Sequence, residues 1–142
     1  MQYDDPGPLE DIKRLKARYF RLMDTQDWDS WGEVFTRDAT MEVPEADMVS
    51  RGRTEIVTRV REALAGARTV HHGHMPEIEI LGPDTARGIW AMSDFVEWEA
   101  GVDGKRRGLR GYGHYFEEYR HEDGAWRIAR CRLVRLRVDP LE

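Results

Sequence analysis

The fold is decided by one stretch of sequence, residues 109–138, which reads LRGYGHYFEEYRHEDGAWRIARCRLVRLRV. Its apolar side chains recur at alternate positions, as they do when successive residues of a strand face opposite sides of a sheet. The only interruption is His121-Glu122-Asp123-Gly124, a polar sequence typical of a turn. The stretch therefore predicts two long antiparallel strands, Leu109–Arg120 and Ala125–Val138.

The remainder of the chain predicts helices first and more strands afterwards. Apolar residues at intervals of three and four indicate helices over Leu9–Asp24, Asp27–Phe35 and Gly52–Ala65. The further predicted strands are Ala39–Val43, Thr69–Leu81 and Thr85–Glu99. This order predicts an α+β protein whose N-terminal helices pack into a strongly curved antiparallel sheet. Residues 1–8 are predicted to be a flexible leader, and residues 9–142 a single domain.

Composition excludes several classes of function. The 142 residues carry a formal net charge of −5, whereas proteins that bind nucleic acids are usually basic. A single cysteine, Cys131, excludes an internal disulfide framework. No apolar run approaches the roughly 20 residues that cross a membrane, and the acidic N-terminus is unlike a secretory signal. We expect a cytoplasmic protein that binds neither nucleic acid nor membrane.

Strand parity predicts which side chains line a pocket. On Thr85–Glu99, Asp94 is the only ionisable residue on an otherwise apolar face, and it needs a partner there because an unpaired buried charge is costly. The predicted pocket residues on that face are Trp90, Met92, Val96 and Trp98. The aromatic rings favour a small, apolar, ring-bearing ligand.

The same parity argument places two arginines of the last strand toward the pocket. Arg130 and Arg132 alternate in phase with Trp126 and Ile128, so they are predicted to face inward. Cys131 and Leu133, together with Ile89 and Phe95, are then predicted to form an apolar outer face, which suggests a homodimer or homotrimer. On the first helix, Lys13, Arg14, Lys16 and Arg18 are predicted to be solvated.

Three histidines fall within Thr69-Val70-His71-His72-Gly73-His74. A metal site, a solvated strand end and an acid–base site are all compatible with this cluster, and the two latter interpretations outrank the first because no acidic or cysteine ligand lies nearby in sequence. Histidine suits proton transfer at neutral pH when a carboxylate orients it. Asp24, at the end of the first helix, is a candidate for that carboxylate.

Several of these strings resemble the SnoaL-like group of the nuclear-transport-factor-2-like superfamily, whose fold is a cone-shaped α+β barrel. The resemblance rests on Ala17–Asp24, Asp27–Phe35, Thr69–Ile80 and Gly111–Ile128, and it extends over residues 9 to 138. In motif the sequence is most similar to bile-acid 7α-dehydratase, scytalone dehydratase and hexachlorocyclohexane dehydrochlorinase. The fold supports many functions, so the resemblance is more specific for fold than for reaction.

The resemblance implies a cofactor-independent lyase without a metal, in which Asp24 and His71 form a dyad that removes a proton next to a carbonyl. It also implies supporting roles for Tyr19, Asp94 and Arg132. Parity leaves His72 as an alternative base, and His114 and Arg130 are further candidates. An isomerase or polyketide cyclase that uses the same proton transfer, and a module that only binds a ligand, remain alternative functions.

Overall fold

A computed structural model describes residues 7–142. The three helices are α1 (Gly7–Asp24), α2 (Trp28–Gly32) and α3 (Arg53–Ala63). The six strands are β1 (Phe35–Val43), β2 (Met48–Arg51), β3 (Arg68–Ile80), β4 (Thr85–Trp98), β5 (Arg107–Glu122) and β6 (Ala125–Pro140), and a 3₁₀ turn, Pro44–Ala46, joins the first two. Within residues 7–142, no helix is both long enough and apolar enough to cross a membrane.

All six strands form one sheet in the order β2-β1-β6-β5-β4-β3. The four strands β3 to β6 make the predicted antiparallel meander, so the α+β prediction is confirmed. The pairing of β1 with β6 is parallel, which makes the sheet mixed rather than wholly antiparallel. The two end strands, β2 and β3, do not pair with each other in the described part of the chain, so the sheet curves without closing into a barrel.

The helix boundaries differ from the predicted ones by up to three residues. Helix α1 begins at Gly7, two residues before the predicted start, and residues 1–6 of the predicted leader lie outside the described residues. Helix α2 ends at Gly32 instead of Phe35, because Phe35 pairs with Ile128 and belongs to β1. Strand β2 was not predicted from the sequence.

Two bulges in β6 correct the predicted orientation of its arginines. Opposite β5, the pairing skips Ala129 and later skips Leu136, so each extra residue reverses which side chains face inward. Cys131 and Leu133 are consequently buried in the core instead of forming an outer face. Arg130 and Arg132 are exposed on the outside and pair with Glu42 of β1, so the prediction that they face the pocket is wrong.

The helices pack their apolar faces on the inner face of the sheet, which is rich in aromatic rings. Trp31, on α2, contacts Tyr19 and Phe35 with ring centroids 5.6 and 4.9 Å apart. The residues of this core that are completely inaccessible are Ile12, Trp31, Phe35, Ala39, Ile56 and Ile128. The core therefore lies between α1–α3 and the middle strands of the sheet.

Lys16 is a charged residue in the centre of this core. Its side chain is fully buried, contrary to the prediction of a solvated position. The ammonium group donates to Glu117 Oε2 at 2.8 Å, and it lies 3.6 Å from the ring centroids of both Tyr19 and Tyr115. The ion pair and the two aromatic faces compensate the loss of hydration that burial imposes on the charge.

The buried ion pair extends into a chain of hydrogen bonds that reaches β4. Tyr119 donates its hydroxyl proton to Glu117 Oε1 at 2.8 Å, and the indole N–H of Trp90 donates to the Tyr119 oxygen at 2.9 Å. Lys16 on α1 is thereby connected to Trp90 on β4 through two residues of β5. This chain fixes the orientation of the Trp90 ring.

The Lys16–Glu117 pair gives a test of the core. Replacing Lys16 by Met should lower the free energy of unfolding by about 3–5 kcal/mol, because Glu117 would keep a buried charge with no cation. Adding Glu117→Gln to Lys16→Met should restore part of that loss. Denaturant unfolding measures both, with exposed Arg18→Met as the control. A loss below about 1 kcal/mol in Lys16→Met, or no recovery in the double variant, would contradict the account.

Burial also predicts how stability depends on alkaline pH. Desolvation raises the pKa of the Cys131 thiol above its ordinary value of 9.0, and raises the pKa of the Tyr19 and Tyr115 hydroxyls above 10.0. Above those values the unfolded chain loses protons that the folded chain keeps, so the free energy of unfolding should fall as pH rises above about 9.

Denaturation midpoints measured across the alkaline range test this. Tyr19→Phe should make the decline shallower by up to about 1.4 kcal/mol per pH unit, the share of one proton. Tyr112→Phe is the control because the Tyr112 ring is exposed. A decline that is unchanged in Tyr19→Phe would contradict the assignment.

Candidate active site

Asp24 and His71 meet where the end of α1 packs against the edge strand β3. Asp24 is the last residue of α1, and His71 faces inward from β3 because it lies in phase with buried Thr69. His71 Nδ1 lies 2.7 Å from Asp24 Oδ1, and the carboxylate is the acceptor. The imidazole therefore carries its proton on Nδ1 when neutral, which leaves the lone pair on Nε2.

Two further donors hold the Asp24 carboxylate in place. The backbone N–H of His71 donates to Oδ2 at 2.9 Å, and the Thr69 hydroxyl donates to Oδ1 at 2.9 Å. All three donors come from β3, so the carboxylate clamps the end of α1 to this strand. Because three donors of β3 fix the carboxylate, Asp24 is placed to orient the His71 ring.

A second carboxylate lies on the other side of the imidazole. Asp94, on β4, pairs with His71 in the sheet register, and its Oδ2 lies 3.6 Å from His71 Nε2. Arg135, on β6, donates to both oxygens of Asp94 at 2.8 Å. The paired carboxylate raises the pKa of the Arg135 guanidinium, which therefore stays charged. Arg135 is thus the partner that buried Asp94 requires.

Gly111 makes the space for this ion pair. It pairs with Asp94 in the β4–β5 register, and a Cβ at this position would overlap Arg135 Nη1 and Asp94 Oδ1. Gly113 similarly lets β5 approach the backbone of β6 at Val134 and Arg135, beside the bulge at Leu136. The two glycines of the Gly111-Tyr112-Gly113 sequence therefore allow Arg135 to enter the site.

The charges of the cluster are placed to stabilise an imidazolium once His71 Nε2 has taken a proton from a substrate. Asp24 and Asp94 contribute two negative charges and Arg135 contributes one positive charge, so protonation of His71 would bring the cluster to neutrality. The imidazole is buried, with 7% of its side chain exposed, which strengthens the interaction with the flanking carboxylates. The arrangement can accept a proton at Nε2 and stabilise the resulting imidazolium.

A cavity of about 740 Å³ lies between α1 and β3, and Asp24 and His71 form part of its wall. Phe20, Trp90 and Pro76 supply apolar surface, and Lys13 and Arg21 supply positive charge. The remaining lining residues are Ala17, His72, Gly73, His74 and Met75. Its size and mixed lining suit a small organic molecule.

The other predicted pocket residues are distributed along β4. Trp90 lines the cavity, whereas Met92 and Val96 are buried on the same inward face without lining it. Trp98 is half-buried at the end of the strand. The inward parity predicted for β4 is therefore observed, but of the four residues only Trp90 lines the cavity that His71 also lines.

Tyr19 does not reach the dyad. Its hydroxyl is buried in the core beside Tyr115, and burial raises its pKa well above the ordinary value. The Lys16 ammonium lies over its ring. Tyr19 therefore supports the packing of α1 and makes no contact with Asp24 or His71 among the described interactions.

The alternative histidines, His72 and His114, take no part in the contact between Asp24 and His71. His72 is an exposed residue that lines the cavity, with its ring 6.2 Å from that of His74. His114 points to the outer face of β5, near Phe116. Arg130 and Arg132 line a separate hollow on that outer face. Within residues 7–142, no three His, Cys, Asp or Glu side chains are grouped so that they could hold a metal ion.

Strand parity alone places Arg135 on the outer face of β6, because alternation continues only in a strand without bulges. Each bulge in β6 shifts the phase by one residue, and the sequence of β6 contains no glycine or proline that marks either position. The signal that could have found the irregularity lies across the sheet, in Gly111 and Gly113, since glycine within a strand often marks a bulge or a close backbone approach.

The chain belongs to the SnoaL-like domain family, whose sequence profile matches residues 9–132. A curated relative from Gibberella zeae, "Probable cyclase FGR4", is 26% identical, and the match covers 88% of this chain and 89% of the relative. These matches confirm the predicted resemblance.

Solved structures agree on the fold. One of them is a structure of Rv3472, a protein of unknown function from Mycobacterium tuberculosis. It is 30% identical to this chain with a TM-score of 0.73, and the match covers 91% of this chain and 76% of the Rv3472 chain. A type 2 hexachlorocyclohexane dehydrochlorinase has a TM-score of 0.82 at 18% identity, with 94% and 88% of the two chains covered. At that identity the second likeness supports the fold alone.

Gly111 gives a test of the Asp94–Arg135 pair. Gly111→Ala should cost about 1–3 kcal/mol of unfolding free energy, because the new methyl group overlaps the two charged side chains. In an Arg135→Ala background the same change should cost markedly less, since the guanidinium is gone. Denaturant unfolding of the four proteins measures the coupling. Effects that add to within about 0.5 kcal/mol would contradict the assigned contact.

Proposed function

We propose that the protein is a cofactor-independent lyase that eliminates water from a small, apolar, ring-bearing carbonyl compound. The observation that carries the proposal is the geometry of His71. Asp24 accepts a hydrogen bond from Nδ1–H at 2.7 Å, which leaves Nε2 as a base, and His71 lies in the wall of a cavity large enough for such a compound. Family membership supports small-molecule chemistry of this kind.

The proposed reaction begins with removal of a proton from the carbon next to the carbonyl. The lone pair of His71 Nε2 takes that proton, and the C–H bond electrons form the enolate. Asp24 and Asp94 are placed to stabilise the imidazolium that results, and Arg135 holds the Asp94 carboxylate in its orientation. General-base catalysis of this kind contributes roughly 10²–10⁴-fold to a rate.

Expulsion of the leaving group completes the elimination. The enolate electrons form the new C=C bond as the neighbouring C–O bond breaks. The imidazolium proton of His71 goes to the departing hydroxyl, so that water leaves and the base is regenerated. This scheme gives Arg132, Tyr19 and His114 no direct part, since none of them contacts the dyad, and it replaces Arg132 by Arg135.

Isomerase or polyketide-cyclase activity is the second candidate. It uses the same proton removal but returns the proton to another carbon of the same molecule, so no water is lost. The Gibberella zeae relative named as a cyclase favours this alternative. A module that binds a ligand without turnover would retain the cavity but would not need the Asp24–His71 contact.

Two further expectations remain predictions. A cytoplasmic location rests on the sequence composition. A homodimer or homotrimer was inferred partly from Cys131 and Leu133, which are in fact buried in the core, so the remaining support is Ile89 and Phe95.

Substitution of the dyad tests the proposal. Asp24→Asn and His71→Ala should each lower turnover by roughly 10²–10⁴-fold while the circular dichroism spectrum stays that of the wild type. The assay incubates the enzyme with a panel of fused-ring β-hydroxy ketones in D₂O and follows products by mass spectrometry. Loss of water indicates a lyase, and deuterium uptake at otherwise unchanged mass indicates an isomerase or cyclase.

His114→Ala is the matched control and should retain most of the activity, since His114 lies on the outer face, and His72→Ala, which changes the cavity wall but not the dyad, should lose much less turnover than His71→Ala. Full turnover in His71→Ala, or loss of turnover in His72→Ala alone, would contradict the dyad. If neither water loss nor deuterium uptake occurs with any compound that binds, the binding module is the better description.

A further inference from the structure

The cavity between α1 and β3 carries more positive charge than its chemistry requires. Its charged lining residues besides the histidines are Lys13, Arg21 and Asp24. Both oxygens of Asp24 already accept hydrogen bonds from β3. These bonds hold the one negative charge of Asp24 toward β3, and the lining carries two positive charges against it, so the cavity wall has a net positive charge.

The side chains of Lys13 and Arg21 are exposed and have no acidic partner among the described residues, a condition that they share with Arg18 on the same helix. Most arginines of this chain are paired with an acid; on the same helix, Arg14 lies 4.0 Å from Glu10. Among residues 7–142, the side chains of Lys13 and Arg21 make no ion pair and no hydrogen bond, although the chain as a whole is acidic. An acid from a ligand could therefore bind them without displacing an internal contact.

The helix places these two cations along one side of the cavity. Lys13, Ala17 and Arg21 follow each other at intervals of four residues, so they lie in one row on α1. The small Ala17 side chain leaves the row open between the two cations, which are about 12 Å apart along the helix axis. Arg21 is one turn from Asp24 and hence close to the dyad.

An apolar surface completes the site. The Phe20 ring packs against β3 at Gly73, which has no side chain. A Cβ at Gly73 would come within 2.7 Å of the Phe20 ring and 3.1 Å of the Trp90 ring. The Trp90 ring is held by its hydrogen bond to Tyr119. The cavity wall therefore presents two aromatic rings, Phe20 and Trp90, beside two cations that have no acidic partner among the described residues.

We propose that the ligand of this cavity is a ring-bearing carboxylic acid, whose carboxylate binds Arg21, with Lys13 adding to the attraction, and whose ring packs on Phe20 and Trp90. A guanidinium matches a carboxylate in shape and can donate two parallel hydrogen bonds to it. This inference rests on the proposed function, because it takes the cavity beside Asp24 and His71 as the place of the reaction. It adds that the ligand carries a carboxylate, by which the cavity selects among ring compounds.

The test compares 2-naphthoic acid with its neutral amide, 2-naphthamide, as probes of the cavity. Isothermal titration calorimetry of the full chain should show that the acid binds more tightly and that added salt weakens the acid more than the amide. Arg21→Gln should weaken the acid at least tenfold and leave the amide within twofold. Lys13→Gln should give a smaller loss of the same kind.

Arg18→Gln is the matched control, since Arg18 is exposed on the same helix and does not line this cavity. It should change neither affinity. Equal binding of acid and amide to the wild type, no binding of the acid, or equal losses for both probes in Arg21→Gln would each overturn the proposal.

Failure of this inference can be told apart from failure of the proposed function. Acid binding that depends on Arg21, without turnover of any compound, would contradict the lyase proposal and leave the acid site intact. Turnover of neutral ketones, together with acid binding that is no tighter than amide binding, would contradict the acid site and leave the lyase proposal intact. Phe20→Ala, which should weaken both probes equally, checks that they occupy the same cavity.

Discussion

The contact between Asp24 and β3 is the constraint on which the site depends. The last residue of α1 accepts hydrogen bonds from the Thr69 hydroxyl, the His71 backbone and the His71 ring, so one carboxylate fixes both a helix end and the tautomer of the imidazole. Lys16, two turns earlier on the same helix, ties α1 to β5 through Glu117. Together these contacts hold the helix over the sheet and place the cavity between α1 and β3.

The irregularity of β6 matters as much as its regular pairing. Without the bulge at Ala129, Arg132 would face inward and Cys131 would face solvent, as the alternating pattern predicts. The bulge instead brings Arg135 into phase with the core, where it meets Asp94 across Gly111. A bulge that redirects a side chain toward a site is a common use of this local structure.

Much of the fold could be predicted from periodicity alone, because long amphipathic strands and a helix with a regular apolar row have strong local signatures. Asp24, His71 and Asp94 were found from their sequence environment and from the family resemblance, and the structure brings them together. Arg135 and the burial of Lys16 could not be predicted. Arg135 depends on a bulge, and Lys16 depends on a distant partner, Glu117, that is 101 residues away in sequence.

The central claim is that Asp24 holds His71 with its proton on Nδ1 and its lone pair on Nε2. Long-range ¹H–¹⁵N NMR correlations of the imidazole ring measure this tautomer directly in the folded protein. The account predicts a neutral His71 that is protonated at Nδ1, and a shift toward the other tautomer in Asp24→Asn. A neutral His71 that carries its proton on Nε2, or a tautomer that does not change in Asp24→Asn, would contradict it.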